Sequence, residues 1–142
     1  MKKEIADKHD FYFNKVMLID DTEIDRYVTA FTMKKNNFAR EIMEFGIAGE
    51  AIEFLEENLH HPDALPEIIL LDIRMPEIDG FQFLETLSAF QKDLKQHVAV
   101  FLLSSSLDTE DFKLAEQFEI VKKFINKPFD RSRLEEIVEA MS

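Results

Sequence analysis

An α/β domain is predicted by this chain of 142 residues: a five-stranded, all-parallel sheet in the order 2-1-3-4-5, doubly wound, with helices on both faces. Three observations lead there. From Val16 onward, short apolar runs alternate with amphipathic stretches, so strands and helices take turns. One run, Ile68-Ile69-Leu70-Leu71, is continuously apolar, as a central parallel strand buried on both faces should be. Two of the runs stop abruptly at carboxylates and a third at serines, at the strand ends where such sheets open their functional crevice.

The elements follow in order. Residues 1–14 are polar and charged, close with the aromatic patch Phe11-Tyr12-Phe13, and read as a loose arm; the domain proper is 15–142. Val16-Met17-Leu18-Ile19 is the first strand and ends in Asp20-Asp21. Thr22, with Asp25 three residues on, can cap a helix whose apolar positions Ile24, Tyr27, Val28 and Phe31 recur at helical spacing and are assigned to the core. That helix ends near Asn36-Asn37. Arg40 to Phe45 is the second strand, followed by a helix carrying Ala51, Ile52, Leu55 and Leu59 and closed by His60-His61-Pro62.

The run from Ile68 ends at Asp72, and Pro76 and Asp79-Gly80 mark a loop. Asp79 is expected to cap a third helix lined by Phe81, Leu84, Leu87 and Phe90. Val98 to Leu103 is the fourth strand and runs into Ser104-Ser105-Ser106, after which Asp108 caps a fourth helix presenting Phe112, Ala115 and Phe118. Lys122 to Ile125 makes the fifth strand, ended by Asn126-Lys127-Pro128. Ser132 with Glu135 has capping-box spacing for a fifth helix that buries Leu134, Ile137, Val138 and Met141.

Composition narrows the function classes. With 46% hydrophobic residues and 32% charged, the chain can build a core and stays soluble, and fourteen Phe make phenyl rings a major part of that core. No cysteine is present, which excludes disulfides, thiolate metal sites and cysteine nucleophiles. Seventeen basic against 29 acidic side chains leave a net charge of −12, so a nucleic-acid partner is not expected and protein or cation partners are. No apolar run approaches the roughly 20 residues of a membrane span, and acidic residues interrupt any leader after Met1-Lys2-Lys3, so a cytoplasmic protein without membrane attachment is expected.

In the predicted topology the carboxyl ends of the strands bring Asp20, Asp21, Asp72, Ser104 and Lys127 to one pocket. Three neighbouring carboxylates repel one another and call for a shared cation, and a hard divalent ion such as Mg2+ prefers such oxygen ligands. A lysine ammonium and a serine hydroxyl beside them can neutralise the oxygens of a transferring phosphoryl group while one Asp attacks in line.

From about Lys15 to the C-terminus the chain resembles a receiver domain of two-component response regulators, the CheY-like superfamily with its flavodoxin-like doubly wound fold. Leu18-Ile19-Asp20-Asp21 resembles the acidic pair after the first strand, Leu70-Leu71-Asp72-Ile73-Arg74-Met75-Pro76-Glu77-Ile78-Asp79-Gly80 the phosphoacceptor segment, and Lys127-Pro128-Phe129 the signature after the fifth strand. The resemblance implies that Asp72 is phosphorylated and that Mg2+ is held by Asp20, Asp21, Asp72 and the backbone carbonyl of Arg74. It further implies that Lys127 pairs with the phosphoryl oxygens, that Ser104 and Phe124 are the switch residues, and that the Lys127–Pro128 bond is cis. Arg74 and Ser106 stand where the family tunes phosphoryl lifetime.

A sensor histidine kinase or histidine phosphotransfer protein would be the donor. Output would pass to a downstream protein target through the surface of the fourth helix, fifth strand and fifth helix. With no linker after the last helix, a stand-alone receiver is expected, a phosphoacceptor rather than an enzyme in the turnover sense. Two alternatives are weaker. A haloacid-dehalogenase-like phosphatase expects a second Asp two residues after its nucleophile, where Thr22 and Arg74 stand; a degenerate receiver serving as a passive scaffold has no need of the acidic, serine and lysine positions.

Overall fold

The computed structural model describes residues 10–142 apart from positions 76, 90, 106 and 107, and the side chain of residue 91 is likewise outside the description. The elements are β1 (Phe13–Ile19), α1 (Glu23–Lys35), β2 (Ala39–Phe45), α2 (Ala48–Glu57), a 3-10 turn at Pro62–Ala64, β3 (Ile68–Asp72), α3 (Gly80–Ser88), α4 (Gln91–Leu94), β4 (Ala99–Ser104), α5 (Thr109–Ala115), β5 (Val121–Asn126) and α6 (Arg131–Ala140). All five strands are parallel, in the order β2-β1-β3-β4-β5. The predicted fold class is the observed one.

Alternation along the strands divides the core into two layers. Met17, Ile19, Ile69, Leu71, Val100 and Leu102 point to one face, where α2 brings Ala51 and Leu55 and α3 brings Phe83, Leu84 and Leu87. Val16, Leu18, Ile68, Leu70, Phe101 and Leu103 point to the other, covered by Ala30 and Met33 of α1 and by Leu134, Ile137 and Val138 of α6. The register brings the strand ends level: Ile19 pairs with Leu71, Asp72 with Leu103, and Ser104 with Asn126. A parallel sheet so aligned delivers Asp20, Asp72, Ser104 and Lys127 to one edge.

Several element details differ from expectation. The largest concerns α1, whose apolar stripe faces solvent: Ile24, Tyr27, Val28 and Phe31 are exposed, Tyr27 by 68% and Phe31 by 54%, and the buried side chains are Thr29, Ala30 and Met33. Two stripes with the same 3.6-residue period lie on this helix, offset by two residues and so by about 200°. Small Ala30 lets the backbone approach the sheet, and Arg26, bonded to the Asp20 carbonyl at 2.8 Å and 3.7 Å from Glu44, fixes the rotation.

The Thr22 side chain makes no cap bond and Asp25 serves none; the Asp20 carboxylate accepts the Thr22 N–H instead. At the other end, α6 is capped by Asp130, which accepts from the Arg133 N–H, while Ser132 donates its hydroxyl to Asp130. These two acceptances hold the exposed Asp130 carboxyl below its ordinary pKa. Met141 is partly exposed past the end of α6.

The second helix stops at Glu57, so Leu59 packs on the core from outside it. The expected third helix is divided into α3 and the short α4; hence six α-helices among the described residues, and the expected fourth and fifth are α5 and α6. Phe112 on α5 is 39% exposed rather than core, and Phe118 lies beyond that helix. The strands begin and end within a few residues of expectation, β1 earliest, at Phe13. Residues 1–9 of the expected arm, Pro76, Phe90 and Ser106 lie outside the described residues.

Candidate functional site at the carboxyl edge of the sheet

Asp20 follows β1 with its side chain wholly buried. Its Oδ1 accepts the Thr22 N–H at 2.9 Å and its Oδ2 accepts from the Lys127 ammonium at 3.1 Å. Asp72 ends β3, where all five residues are buried because the strand lies between β1 and β4 under both helical layers. Its Oδ1 accepts the Arg74 N–H at 2.9 Å and its Oδ2 faces Lys127 Nζ at 3.3 Å. Asp21 is exposed at the rim. Asp20, Asp21 and Asp72 each offer an oxygen, and these lie within 4.8 Å of one another.

Lys127 arrives from β5. Its backbone N–H donates to the Ser104 carbonyl at 2.8 Å, which ties the β5 end to the β4 end, and its peptide bond to Pro128 is cis. Ser104 itself is buried. The loop after Asp72 is closed by the Gly80 N–H donating to the Ile73 carbonyl at 3.2 Å, and Glu77 holds a left-handed φ of 65° within it. Asp79 then starts α3 with a full capping box, exchanging bonds with Gln82 as the sequence predicts.

The electrostatics follow from burial. Desolvation pushes the Asp72 carboxyl up from 3.8 to about 6, against the lowering pull of the Arg74 N–H and the Lys127 charge; the Asp20 charge adds to the rise. Burial works to lower the Lys127 pKa, but the hydrogen bond to Asp25 and the charges of Asp72 and Asp20 overcome it, and the ammonium is held above an ordinary lysine. The two directions agree: a buried anion short of positive charge stands beside a cation that carboxylates surround.

All five residues expected from the sequence reach this edge: Asp20, Asp72 and Lys127 in direct contact, Asp21 beside them, and Ser104 one residue past the partner of Asp72. Phe124 lies half-buried on β5, its ring 4.6 Å from that of Phe112 of α5.

Two neighbours were not anticipated. Asp25, on the first turn of α1, accepts from Lys127 Nζ at 3.0 Å, and buried Asp111 of α5 receives the Arg74 guanidinium at 2.6 Å. A carboxylate in the first turn after a strand-end acidic pair was the available sign of the first; the second has no sign in the sequence. A cleft of about 360 Å³ adjoins Asp21, bordered by Ile47, Met75 and Ile78. A groove of about 410 Å³ along α1, lined by Tyr27, Phe31 and Lys34, includes none of the five residues.

The family model of the response regulator receiver domain matches residues 16–139. The chain belongs to this family. Receiver domains are signalling domains, and the CheY-like sheet order and strand-end acidic cluster described above are what this membership leads one to find.

Among relatives, response regulator Rre1 of Synechocystis sp. is 32% identical over 125 residues, 87% of this chain and 49% of that protein. The chain thus spans about half the length of Rre1. Chemotaxis protein CheY of Listeria monocytogenes is 30% identical over 88% of this chain and 95% of its own. A two-component response regulator from Cytophaga hutchinsonii superposes with a TM-score of 0.78 at 30% identity, covering 89% of this chain and 97% of that one. The receiver domain of the histidine kinase CKI1 from Arabidopsis thaliana, solved complexed with Mg2+, shares the fold with a TM-score of 0.75 at 21% identity, covering 91% and 92%. Among the described residues no helix is long and apolar enough to cross a membrane.

Proposed function

We propose that this receiver, residues 15–142, accepts a phosphoryl group on Asp72 from a phosphohistidine of a sensor kinase or phosphotransfer protein, with Mg2+, and passes the signal to a protein target in the cytoplasm. The observation that carries the reading is the ammonium of Lys127 set between Asp20 at 3.1 Å and Asp72 at 3.3 Å, on the side of a three-carboxylate cluster.

The donor set fits the cation: three oxygens within 4.8 Å of one another suit a hard divalent ion, and an Asp72 carboxyl that burial raises to about 6 is one that a further positive charge would favour in its ionised form. Asp20, Asp21 and Asp72 would hold Mg2+, together with the Arg74 carbonyl that the family leads us to expect. When bound, it supplies charge that keeps Asp72 ionised and neutralises phosphoryl oxygens. Mg2+ in the CKI1 receiver supports this choice of ion.

The chain's own groups do the rest. A carboxylate oxygen of Asp72 attacks phosphorus in line, the new O–P bond forms as the P–N bond breaks, and the imidazole leaves with the bonding pair. The Arg74 N–H, at 2.9 Å, holds the Asp72 carboxylate in orientation. Lys127 offers its positive charge to the transferred oxygens, and the Ser104 hydroxyl donates to one of them. Ser104 would move toward the new group, and Phe124 would turn inward from Phe112, altering the surface of α5, β5 and α6.

Intact-mass measurement after acetyl phosphate and Mg2+ tests the reading. The wild type is expected to gain one phosphoryl group, labile to hydroxylamine, and Asp72→Asn none; an Asn variant that gained the same label would refute Asp72 as acceptor.

A further inference from the structure

Lys127 has three N–H donors, and three carboxylate oxygens stand within reach of them: Asp25 Oδ2 at 3.0 Å, Asp20 Oδ2 at 3.1 Å and Asp72 Oδ2 at 3.3 Å. The ammonium is therefore fully engaged before any phosphoryl oxygen arrives, and a fourth acceptor must replace one of the three. Asp20 is wholly buried, so water cannot take the place of the ammonium on its carboxylate. Asp72 is the group being modified. Asp25 is 45% exposed and water can solvate its carboxylate as soon as the ammonium leaves, which makes it the least costly partner to release. It is also the nearest of the three, and it caps no helix.

We propose that Asp25 is a positioning residue for Lys127, holding one ammonium donor in the resting pocket and yielding it to a phosphoryl oxygen when Asp72 is loaded. The proposal rests on the reading of Asp72 as acceptor. Asp25 therefore competes with the phosphoryl group for Lys127, and the resting pocket is partly self-blocked. The side chain comes from α1, so the rotation that turns Tyr27 and Phe31 outward is the one that sets this carboxylate over the β5 end.

Beryllium fluoride, a tetrahedral stand-in for the phosphoryl group, tests the assignment at saturating Mg2+. Asp25→Asn is expected to bind it about three- to tenfold more tightly than the wild type, as loss of one half-exposed charge-assisted competitor allows, and to label faster with acetyl phosphate by a similar factor. Glu23→Gln removes the same charge from the same turn of α1, and its exposed side chain is not among the contacts of Lys127; it should change affinity by less than about twofold. Should the Asn variant fail to fold, Asp25→Ser repeats the measurement.

Unchanged or weaker binding in a folded Asp25 variant overturns the proposal, as does an equal gain in Glu23→Gln, which would make the effect one of overall charge. A wild type that binds no beryllium fluoride and gains no mass overturns the reading of Asp72 itself.

Discussion

Replacing Asp72 by Asn should raise thermal stability when no divalent cation is present. The buried carboxyl stands at about 6 instead of 3.8, a difference that corresponds to about 3 kcal/mol of penalty on its ionised form. Water reaching the pocket mouth, where Asp21 is exposed and Asp25 half-exposed, screens this, and about 1–2 kcal/mol is left at pH 7.5. Asn keeps one oxygen for the Arg74 N–H and carries no charge; its amide nitrogen replaces the Oδ2 that faced Lys127 at 3.3 Å, so the penalty goes at the cost of the longest of the three Lys127 contacts.

For a chain of this length the melting temperature should rise by about 3–6 °C. The sign of the pH dependence follows from proton binding. Between 3.8 and about 6 the folded state holds the Asp72 proton more firmly than the unfolded state, so wild-type stability falls as pH rises through that window. The advantage of Asn is therefore full above pH 6 and shrinks steadily toward pH 4.5. Millimolar Mg2+ should narrow or invert the gap, since it binds the folded wild type. Differential scanning calorimetry across this range, with and without Mg2+, is the assay. An Asn variant that melts below the wild type at pH 7.5 without metal, or a gap constant from pH 7.5 to 4.5, would refute the account of Asp72 as an ion strained by burial.

Four further outcomes are expected. Gly80→Ala puts a Cβ 2.7 Å from the Ile73 Cα and 3.1 Å from the Asp72 carbonyl, so backbone must shift; a loss of about 1–3 kcal/mol in urea unfolding, with slower acetyl phosphate labelling, should follow. Tyr27→Ser and Phe31→Ser should each change stability by no more than about 0.5 kcal/mol, while Phe83→Ala costs about 3–5 kcal/mol, the contrast being measurable by the same unfolding curves. Asp79→Ala removes a capping box and should cost about 1 kcal/mol, read as a lower melting temperature. Arg74→Ala strands the buried Asp111 carboxylate and should cost about 1–3 kcal/mol; Asp111→Asn in that background should recover most of it, and a double variant no more stable than the single would contradict the pairing.

Strand-end chemistry was legible in the sequence because apolar runs that stop at Asp20-Asp21, Asp72 and Ser104, with a short strand ended by Asn126-Lys127-Pro128, give both the strands and the edge at which they end. Parallel pairing then carries those residues to one place without any knowledge of side-chain packing. Helix rotation was not legible in the same way. On α1 the larger apolar residues suggested the wrong stripe, since periodicity defines a face only up to rotation and small Ala30 with Met33 packs closer to the sheet than Tyr27 and Phe31 could.

Local order along the chain determined the fold class, the strand sequence and the set of groups at the carboxyl edge, since each depends on neighbours in sequence and on the right-handedness of parallel crossovers. Tertiary structure alone decided the partners of charged groups: Asp25 on Lys127, 102 residues away, and Asp111 on Arg74, 37 residues away. Such contacts depend on how each helix turns against the sheet. That rotation is chosen by the summed packing of the whole layer, and no short stretch of sequence contains it.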